Sequence, residues 1–302
     1  MSNNTCQPDC ALVALDQYTL LSLEGTDATA FLQGQCTNDF ANLADGAWSY
    51  GAHCDPKGRM QFSFLATRLT EHKIVLRLHE SLAEYAQTSL KKYLVFSKSV
   101  LTRLNTWRGY AVLGANAETF PRPQSRDVLA HRHSTDCIEL WLPETELDSA
   151  TAPSLQEAHS RTLWERHQIL AGIAELRSGM QGEFLPQEIN LGALGGLSYK
   201  KGCYTGQEII ARLHYKGALK KHLYIGRTQL NSSGDVGNAI YEVGNDHQSL
   251  GTNLRWVHEE NGKVLFLALV NDNAIESKKH CVLGTTDSVI IQWTKVPYAI
   301  TD

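Results

Sequence analysis

The stretch KKGCYTGQEIIARLHYKG, residues 200–217, places one cysteine, Cys203, directly before a segment whose apolar residues have helical spacing. The tetrapeptide TGQE within it has the form of a capping box, in which Thr205 and Glu208 satisfy free backbone amides at the start of a helix. The unpaired amides and the positive end of the helix dipole would then lie close to the Cys203 sulfur. This pattern predicts a helix that begins just after a thiol.

Cys203 is therefore a candidate reactive group. Lys200 and Lys201 add positive charge next to it in the sequence, which favours thiolate over thiol. A thiolate can attack an electrophile, bind a soft metal or exchange disulfides. The alternative is that Cys203 is a small buried apolar residue, as free cysteines commonly are. The local sequence leaves both interpretations open.

The composition of the 302-residue chain is that of a globular protein, with 42% hydrophobic and 20% charged residues. The formal net charge of −4 gives no general attraction to nucleic acid, so we expect no stable nucleic-acid binding. No apolar run reaches the roughly 18 residues that would suggest a membrane span, and no signal-peptide pattern is present. We therefore predict a cytoplasmic protein without a membrane partner.

The seven cysteines are scattered and odd in number, which is typical of a reduced cytosolic chain rather than a disulfide framework. Cys6 and Cys10 form the only close pair. Because no histidine or third cysteine lies near them in the sequence, we predict no metal site there.

Alternating apolar residues at 48–54 and 60–66 predict a hairpin, since the DPKG between them (55–58) is typical of a turn. Hairpins mixed with predicted helices at 26–34 and 80–94 indicate an α+β fold rather than a parallel βαβ series. After residue 217 the sequence changes to short strands separated by turn residues, which predicts an all-β part. We place the domain boundary there, giving domains 1–217 and 218–302.

The strongest helical pattern spans residues 154–172. Its predicted apolar stripe consists of Leu155, Ala158, Thr162, Leu163, Ile169 and Leu170. Trp164 lies about half a turn from that stripe and so falls on the predicted polar face, beside Gln168. A tryptophan in that position either packs against a second layer or contacts a ligand. The following segment, 173–199, is glycine-rich and is predicted to be a long ordered loop.

Residues 184–217, FLPQEINLGALGGLSYKKGCYTGQEIIARLHYKG, closely resemble the signature of the YgfZ family. These are folate-binding proteins related to the T-protein (aminomethyltransferase) of the glycine cleavage system. The core KGCYTGQE is highly specific, and FLQGQCTND (31–39) and AHCDPKGRM (52–60) also agree. The resemblance runs in order from about Tyr18 to Gly217.

The resemblance implies a two-part folate-binding domain of the T-protein type, followed by a C-terminal all-β barrel, around a central channel. It implies that the chain binds tetrahydrofolate or a folate derivative. It also implies a role in the assembly or maintenance of iron–sulfur enzymes, including those of tRNA modification. Iron–sulfur client proteins would then be the partners of the chain.

Two aromatic residues contact folate in the family, and they correspond here to Tyr18 and Trp164. A flat ring gains area burial and offset stacking from an aromatic wall. Four further residues would shape the site of Cys203: the two cations would bind anions, and the other two would form hydrogen bonds. These are Arg59, Lys201, Tyr204 and Gln207.

The sequence departs from the T-protein just after Gly58, where T-proteins carry acidic residues and this chain has Gln61 and Phe62. Without a carboxylate there, the chain lacks the ionisable side chain that would act as general acid or base in aminomethyl transfer. The alternative function is a folate-dependent one-carbon transferase whose carboxylate comes from elsewhere, such as Asp39, Asp55 or Glu183. A third interpretation is a binding module in which folate is only a structural ligand.

Overall fold

The computed structural model describes residues 10–115, 117–120, 128–146, 161–229, 239–245, 247–259, 262–284 and 289–300. Its helices are α1 (Ala28–Gln35), α2 (Ala83–Leu94), α3 (Arg161–Leu170), α4 (Gln207–Lys216) and α5 (Asp272–Glu276). None of these helices is long and apolar enough to cross a membrane.

The strands before α4 are β1 (Cys10–Ala14), β2 (Tyr18–Gly25), β3 (Trp48–Cys54), β4 (Met60–Thr70), β5 (Lys73–His79), β6 (Ser99–Arg103), β7 (Trp107–Gly114), β8 (Leu129–Ser134) and β9 (Cys137–Pro143). The strands after it are β10 (Lys221–Gln229), β11 (Ala239–Glu242), β12 (Gly251–His258), β13 (Lys263–Asn271), β14 (Cys281–Leu283) and β15 (Gln292–Lys295).

Two antiparallel sheets form the first part of the chain. One has the strand order β3-β4-β5-β2-β6 and the other β1-β7-β9-β8. The predicted hairpin is β3 and β4, and its turn is held by Asp55, whose Oδ1 accepts the backbone amides of Lys57 and Arg59 at 2.8 and 2.9 Å. Gly58 has a φ of 75°, which a residue without Cβ adopts at little cost. Antiparallel sheets interspersed with a few helices agree with the α+β prediction.

The C-terminal strands form one six-stranded antiparallel sheet in the order β14-β11-β12-β13-β10-β15. The sheet curves into a half-barrel. Its two edges approach each other at one point, where the amide of Ile291, just before β15, donates to the carbonyl of Cys281 in β14 at 2.8 Å. The all-β prediction is thereby confirmed. Leu223 and Leu267 of this sheet share one hydrophobic cluster with Leu76 and Ile210 of the preceding part. The domain boundary at residue 217 stays a prediction.

Helix α3 corrects the predicted apolar stripe. Trp164, Glu165, Gln168 and Ile169 are its buried residues, whereas Leu163 is 39% exposed. The prediction for Leu163 and its neighbour Thr162 was wrong, because the helix packs its polar side against β12 and pairs there with a buried arginine. The residues predicted as its first turns, 154–160, lie outside the described part of the chain.

Residues 173–199 form a series of turns between α3 and α4, as predicted. Phe184, Ile189 and Leu191 are buried in the largest hydrophobic cluster, which accounts for the order of the segment without a regular element.

Candidate functional site

The two aromatic residues assigned to folate by the resemblance lie in contact. Tyr18 begins β2 and Trp164 lies on α3, and their rings meet edge to face with centroids 6.2 Å apart. The indole Nε1 of Trp164 donates to the Tyr18 hydroxyl at 3.0 Å. Tyr18 is 5% exposed and Trp164 is fully buried. The fold thus joins residues that are 146 positions apart, but it covers the indole completely.

Arg255 of β12 reaches this pair from the C-terminal half-barrel. Its guanidinium donates from Nη2 to the Tyr18 hydroxyl at 3.0 Å and from Nε to Glu165 Oε2 at 2.9 Å. It also donates from Nη1 to the carbonyl of Ile173 at 3.0 Å. Arg255 is 2% exposed, so these bonds lie in the interior, where they are worth more than in water. Arg255 is not among the residues predicted from the sequence, where its one signal is an arginine at an inward-facing position of a strand.

A second arginine, Arg77 of β5, is also fully buried. Its Nε lies 3.2 Å from Glu139 Oε1, its Nη1 contacts Glu175, and its Cζ lies 4.2 Å from the centre of the Tyr18 ring. The hydroxyl of Tyr18 donates to Glu175 Oε2 at 2.5 Å. We refer to these residues together as the buried ion network, which comprises Arg77, Glu139, Glu165, Glu175 and Arg255.

The carboxylates of this network remain ionised despite their burial. Burial alone would raise the pKa of Glu139 and Glu175, but Arg77 lowers both, assisted by His133 for Glu139 and by Arg255 for Glu175. Both pKa values fall to about 2. The network therefore holds compensated charges at neutral pH.

Acid should unfold the protein through these two carboxylates. Their pKa values are depressed below the usual 4.5, so the stability they contribute is present above pH 4.5 and is lost as the pH falls towards 2. We expect the free energy of unfolding to fall by about 2–3 kcal/mol per pH unit in that window, which corresponds to uptake of two protons. Guanidinium titrations between pH 7 and 2.5 measure this slope. A slope of one proton or less would contradict the assignment.

A cavity of about 150 Å³ lies beside Tyr18. Its wall includes Tyr18, Glu80, Arg103, Trp107, Arg108 and Trp141. Arg103 and Arg108 are paired with Glu80 and Glu144, respectively. The cavity is thus lined by aromatic residues together with paired charges.

Cys203 is exposed, so the alternative of a buried apolar thiol is wrong. The capping box is wrong as well. Helix α4 begins at Gln207 after Gly206 as its N-cap, and no side chain caps it. Gly206 has a φ of 86°, and a Cβ there would lie 2.6 Å from the carbonyl oxygen of Asp55. The helix start packs so closely on the β3–β4 turn that glycine replaces the predicted cap at Thr205.

Lys201, which the sequence places close to Cys203, binds the segment that follows α1. Lys201 Nζ donates to the carbonyls of Cys36 and Asn38, at 2.7 Å each, and lies 4.9 Å from the centre of the Tyr204 ring. Burial lowers the pKa of Lys201 to about 8. Tyr204 is buried, its burial raises its pKa, and its hydroxyl has no hydrogen-bond partner among the described residues. Lys201 therefore anchors the segment that follows α1.

The other two predicted site residues, Arg59 and Gln207, lie near the β3–β4 turn. Arg59 donates from Nη1 to the carbonyl of Glu183 at 2.7 Å and approaches Glu188 Oε2 at 3.3 Å. Gln207 is the half-buried first residue of α4. The structure thus places Arg59, Tyr204 and Gln207 around the contact between the β3–β4 turn and the start of α4.

A second cavity, of about 170 Å³, opens at this contact. It is lined by His53, Asp55, Gln61, Tyr85, Lys92 and Thr205, among others. Gln61 is one of the two residues that the resemblance aligns with the acidic residues of T-proteins. Its Nε2 lies 3.4 Å from Asp55 Oδ2, and its Oε1 accepts from the Tyr85 hydroxyl at 2.6 Å. Gln61 and Thr205 therefore line the same cavity, and Thr205 is two positions after Cys203 in the sequence.

Alkylation should distinguish Cys203 from the buried cysteines. Burial raises the pKa of the Cys36 thiol to about 12, and it also raises those of Cys54 and Cys137. We expect iodoacetamide to modify Cys203 at least ten times faster than these three in the folded protein, because they react only on opening. Peptide mass spectrometry after a short pulse measures the ratio, and unfolding in guanidinium should abolish it. Equal labelling of Cys54 and Cys203 would contradict this prediction.

Comparison with known proteins gives consistent results. Residues 3–138 match the family model described as the GCVT N-terminal domain. The tRNA-modifying protein YgfZ of Sodalis glossinidius is 31% identical over 96% of this chain and 93% of its own length. The protein of the same name from Photobacterium profundum is also 31% identical, over 98% of this chain and 93% of its own.

A solved structure supports the fold. The crystal structure of glycine cleavage system aminomethyltransferase T from Bartonella henselae matches with a TM-score of 0.65 and 16% identity, covering 87% of this chain and 79% of that one. This similarity confirms the T-protein-like fold. The identity and coverage of the curated relatives show that the chain belongs to the YgfZ family.

Proposed function

We propose that the chain binds a tetrahydrofolate-type ligand and assists the iron–sulfur enzymes that modify tRNA. The observation that carries the proposal is the contact between Tyr18 and Trp164 beside a cavity of about 150 Å³. The T-protein-like fold supports the folate ligand, and the name of the curated relatives supports the connection to tRNA modification. We place the action on protein clients rather than on tRNA itself.

The two aromatic residues have different parts in this proposal. Tyr18 lines the cavity, so its ring supplies a wall for the flat part of folate. Trp164 is fully buried and acts through Tyr18, since its indole N–H holds the Tyr18 hydroxyl. Arg103, paired with Glu80 on the same wall, offers a charged partner to the polar edge of the ligand.

Calorimetric titration with tetrahydrofolate tests the aromatic wall. Two variants, Tyr18→Phe and Tyr18→Leu, both lack the hydroxyl and differ only in the ring. We expect Tyr18→Leu to weaken binding about ten-fold or more, since it removes burial and stacking, and Tyr18→Phe to stay within about three-fold. Circular dichroism checks that both are folded. Equal affinities of the two variants, or no binding by the wild type, would refute the folate site.

The exposed thiol of Cys203 is the proposed reactive or cluster-contacting group. We expect the wild-type chain, expressed in a bacterial strain that lacks its own YgfZ-family protein, to restore modified nucleosides in tRNA, as measured by mass spectrometry. The Cys203→Ser variant should fold and fail, whereas the half-buried Cys10→Ser variant should restore them. Full restoration by Cys203→Ser would eliminate the role of this thiol.

A folate-dependent one-carbon transferase is the second candidate. The observation that favours it is that Asp55 shares a cavity with Gln61 and so places a carboxylate beside the position of the T-protein acid. Incubation with tetrahydrofolate, formaldehyde and simple amines tests for turnover. Turnover that is lost in Asp55→Asn would favour this candidate, and absence of turnover in the wild type would exclude it.

A further inference from the structure

The end of α2 and the start of β6 carry a run of exposed large apolar side chains, among them Val95 and Phe96, the two most exposed of the described chain. Phe96 is 92% exposed, Val95 79%, Val100 67% and Tyr93 48%. They lie within eight consecutive residues, and soluble monomers rarely expose so many together. We call these four residues, with Lys91, Lys92 and Lys98, the edge patch.

The patch adjoins an open sheet edge. Strand β6 pairs with β2 and is the outer strand of its five-stranded sheet within the described residues. Its Leu101 is buried, whereas Val100 points outward. An edge of this kind offers unpaired backbone N–H and C=O groups that another extended segment can pair with.

Three exposed lysines lie around the edge, and the two carboxylates beside them already have partners: Asp27 Oδ2 accepts the backbone amide of Lys98 at 2.8 Å, and Glu24, opposite Val100, pairs with Lys73 at 3.0 Å. Lys91, Lys92 and Lys98 are exposed, and none of them forms a salt bridge with another described residue. Lysines beside an edge strand disfavour self-association, since an isologous pair of copies would bring like charges together. The same lysines attract a segment that carries carboxylates.

We propose that the edge patch is the docking site for an extended acidic and apolar segment of a partner protein, which adds a strand to β6. Backbone pairing would supply affinity, the apolar side chains would cover Val95, Phe96 and Val100, and carboxylates would meet the lysines. A single-stranded RNA fits less well, because only Tyr93 and Phe96 offer rings for base stacking and the patch has only three lysines for phosphates.

The docking site is continuous with a cavity already described. Lys92 and Tyr93 belong to the edge patch and also line the 170 Å³ cavity that holds Gln61 and Thr205. A docked segment would therefore lie next to that cavity. The docking proposal does not depend on folate, and the test below is made without it.

The test uses the full chain and a phage-displayed library of random twelve-residue peptides. The enriched peptide is then synthesised with a fluorescent label, and its affinity is measured by anisotropy. We expect enrichment of peptides that alternate acidic with β-branched or aromatic residues. Binding should weaken at least ten-fold in Val95→Ser/Phe96→Ser and in Lys91→Glu/Lys92→Glu/Lys98→Glu. The variant Lys216→Glu/Lys220→Glu/Lys221→Glu changes the net charge equally at other exposed positions and should bind normally.

Three outcomes would overturn the proposal. The first is a failure to enrich any acidic peptide. The second is binding that both edge-patch variants retain, or that the control variant loses equally. The third is displacement of the peptide by unlabelled tRNA with loss of tRNA binding in the edge-patch variants, which would assign the surface to RNA.

Discussion

Replacing Arg255 with leucine is expected to lower the free energy of unfolding by about 3–5 kcal/mol, the usual cost of leaving buried charges without their partner. Arg255 is 2% exposed and pairs with Glu165 and Glu175 at 2.9 and 3.2 Å. Its removal also deprives the Tyr18 hydroxyl and the Ile173 carbonyl of a donor. Guanidinium denaturation at pH 7 measures the loss.

Arg227→Leu is the matched control. Arg227 is 41% exposed and lies 3.9 Å from Glu259 in the same half-barrel, so its replacement should cost about 0–1 kcal/mol. Similar losses of unfolding free energy in the two variants would show that the buried ion pairs of Arg255 do not stabilise the protein. Because Arg255 joins the half-barrel to the first part of the chain, its loss should also lower the cooperativity of unfolding.

Replacing Trp164 with alanine is expected to cost about 3–5 kcal/mol, because it leaves a large cavity in a packed interior. The indole is fully buried and meets the rings of Tyr18, His133 and His167. The change also removes the donor to the Tyr18 hydroxyl. The midpoint of urea unfolding gives the measurement.

Two further variants separate the cost of losing the indole N–H from the cost of losing a buried ring. Trp164→Phe keeps most of the ring and removes the N–H, so it should cost about 1–2 kcal/mol. Trp256→Ala removes an indole that is 38% exposed on β12 and should cost much less than Trp164→Ala. A small loss in Trp164→Ala would mean that neighbouring side chains collapse into the space.

Several features could be predicted from the sequence because they depend on local order. The hairpin of β3 and β4 follows from alternation around a turn with Asp55 and Gly58, and the strand-rich C-terminal part follows from its turn residues. The segment 184–217 identified the family. The assignment of Tyr18 and Trp164 to one site stays a prediction, but the structure does place their rings in contact.

The tertiary structure decided the rest. Helix α3 buries Glu165 and Gln168 rather than Leu163, and α4 begins without the predicted cap. The reason is that burial of a charge depends on partners far along the chain, such as Arg255, which is 90 residues from Glu165. Close approach of Gly206 to the β3–β4 turn is likewise a contact between distant segments. Local spacing determines which elements form, whereas compensation of buried charge and steric fit determine which of their faces turn inward.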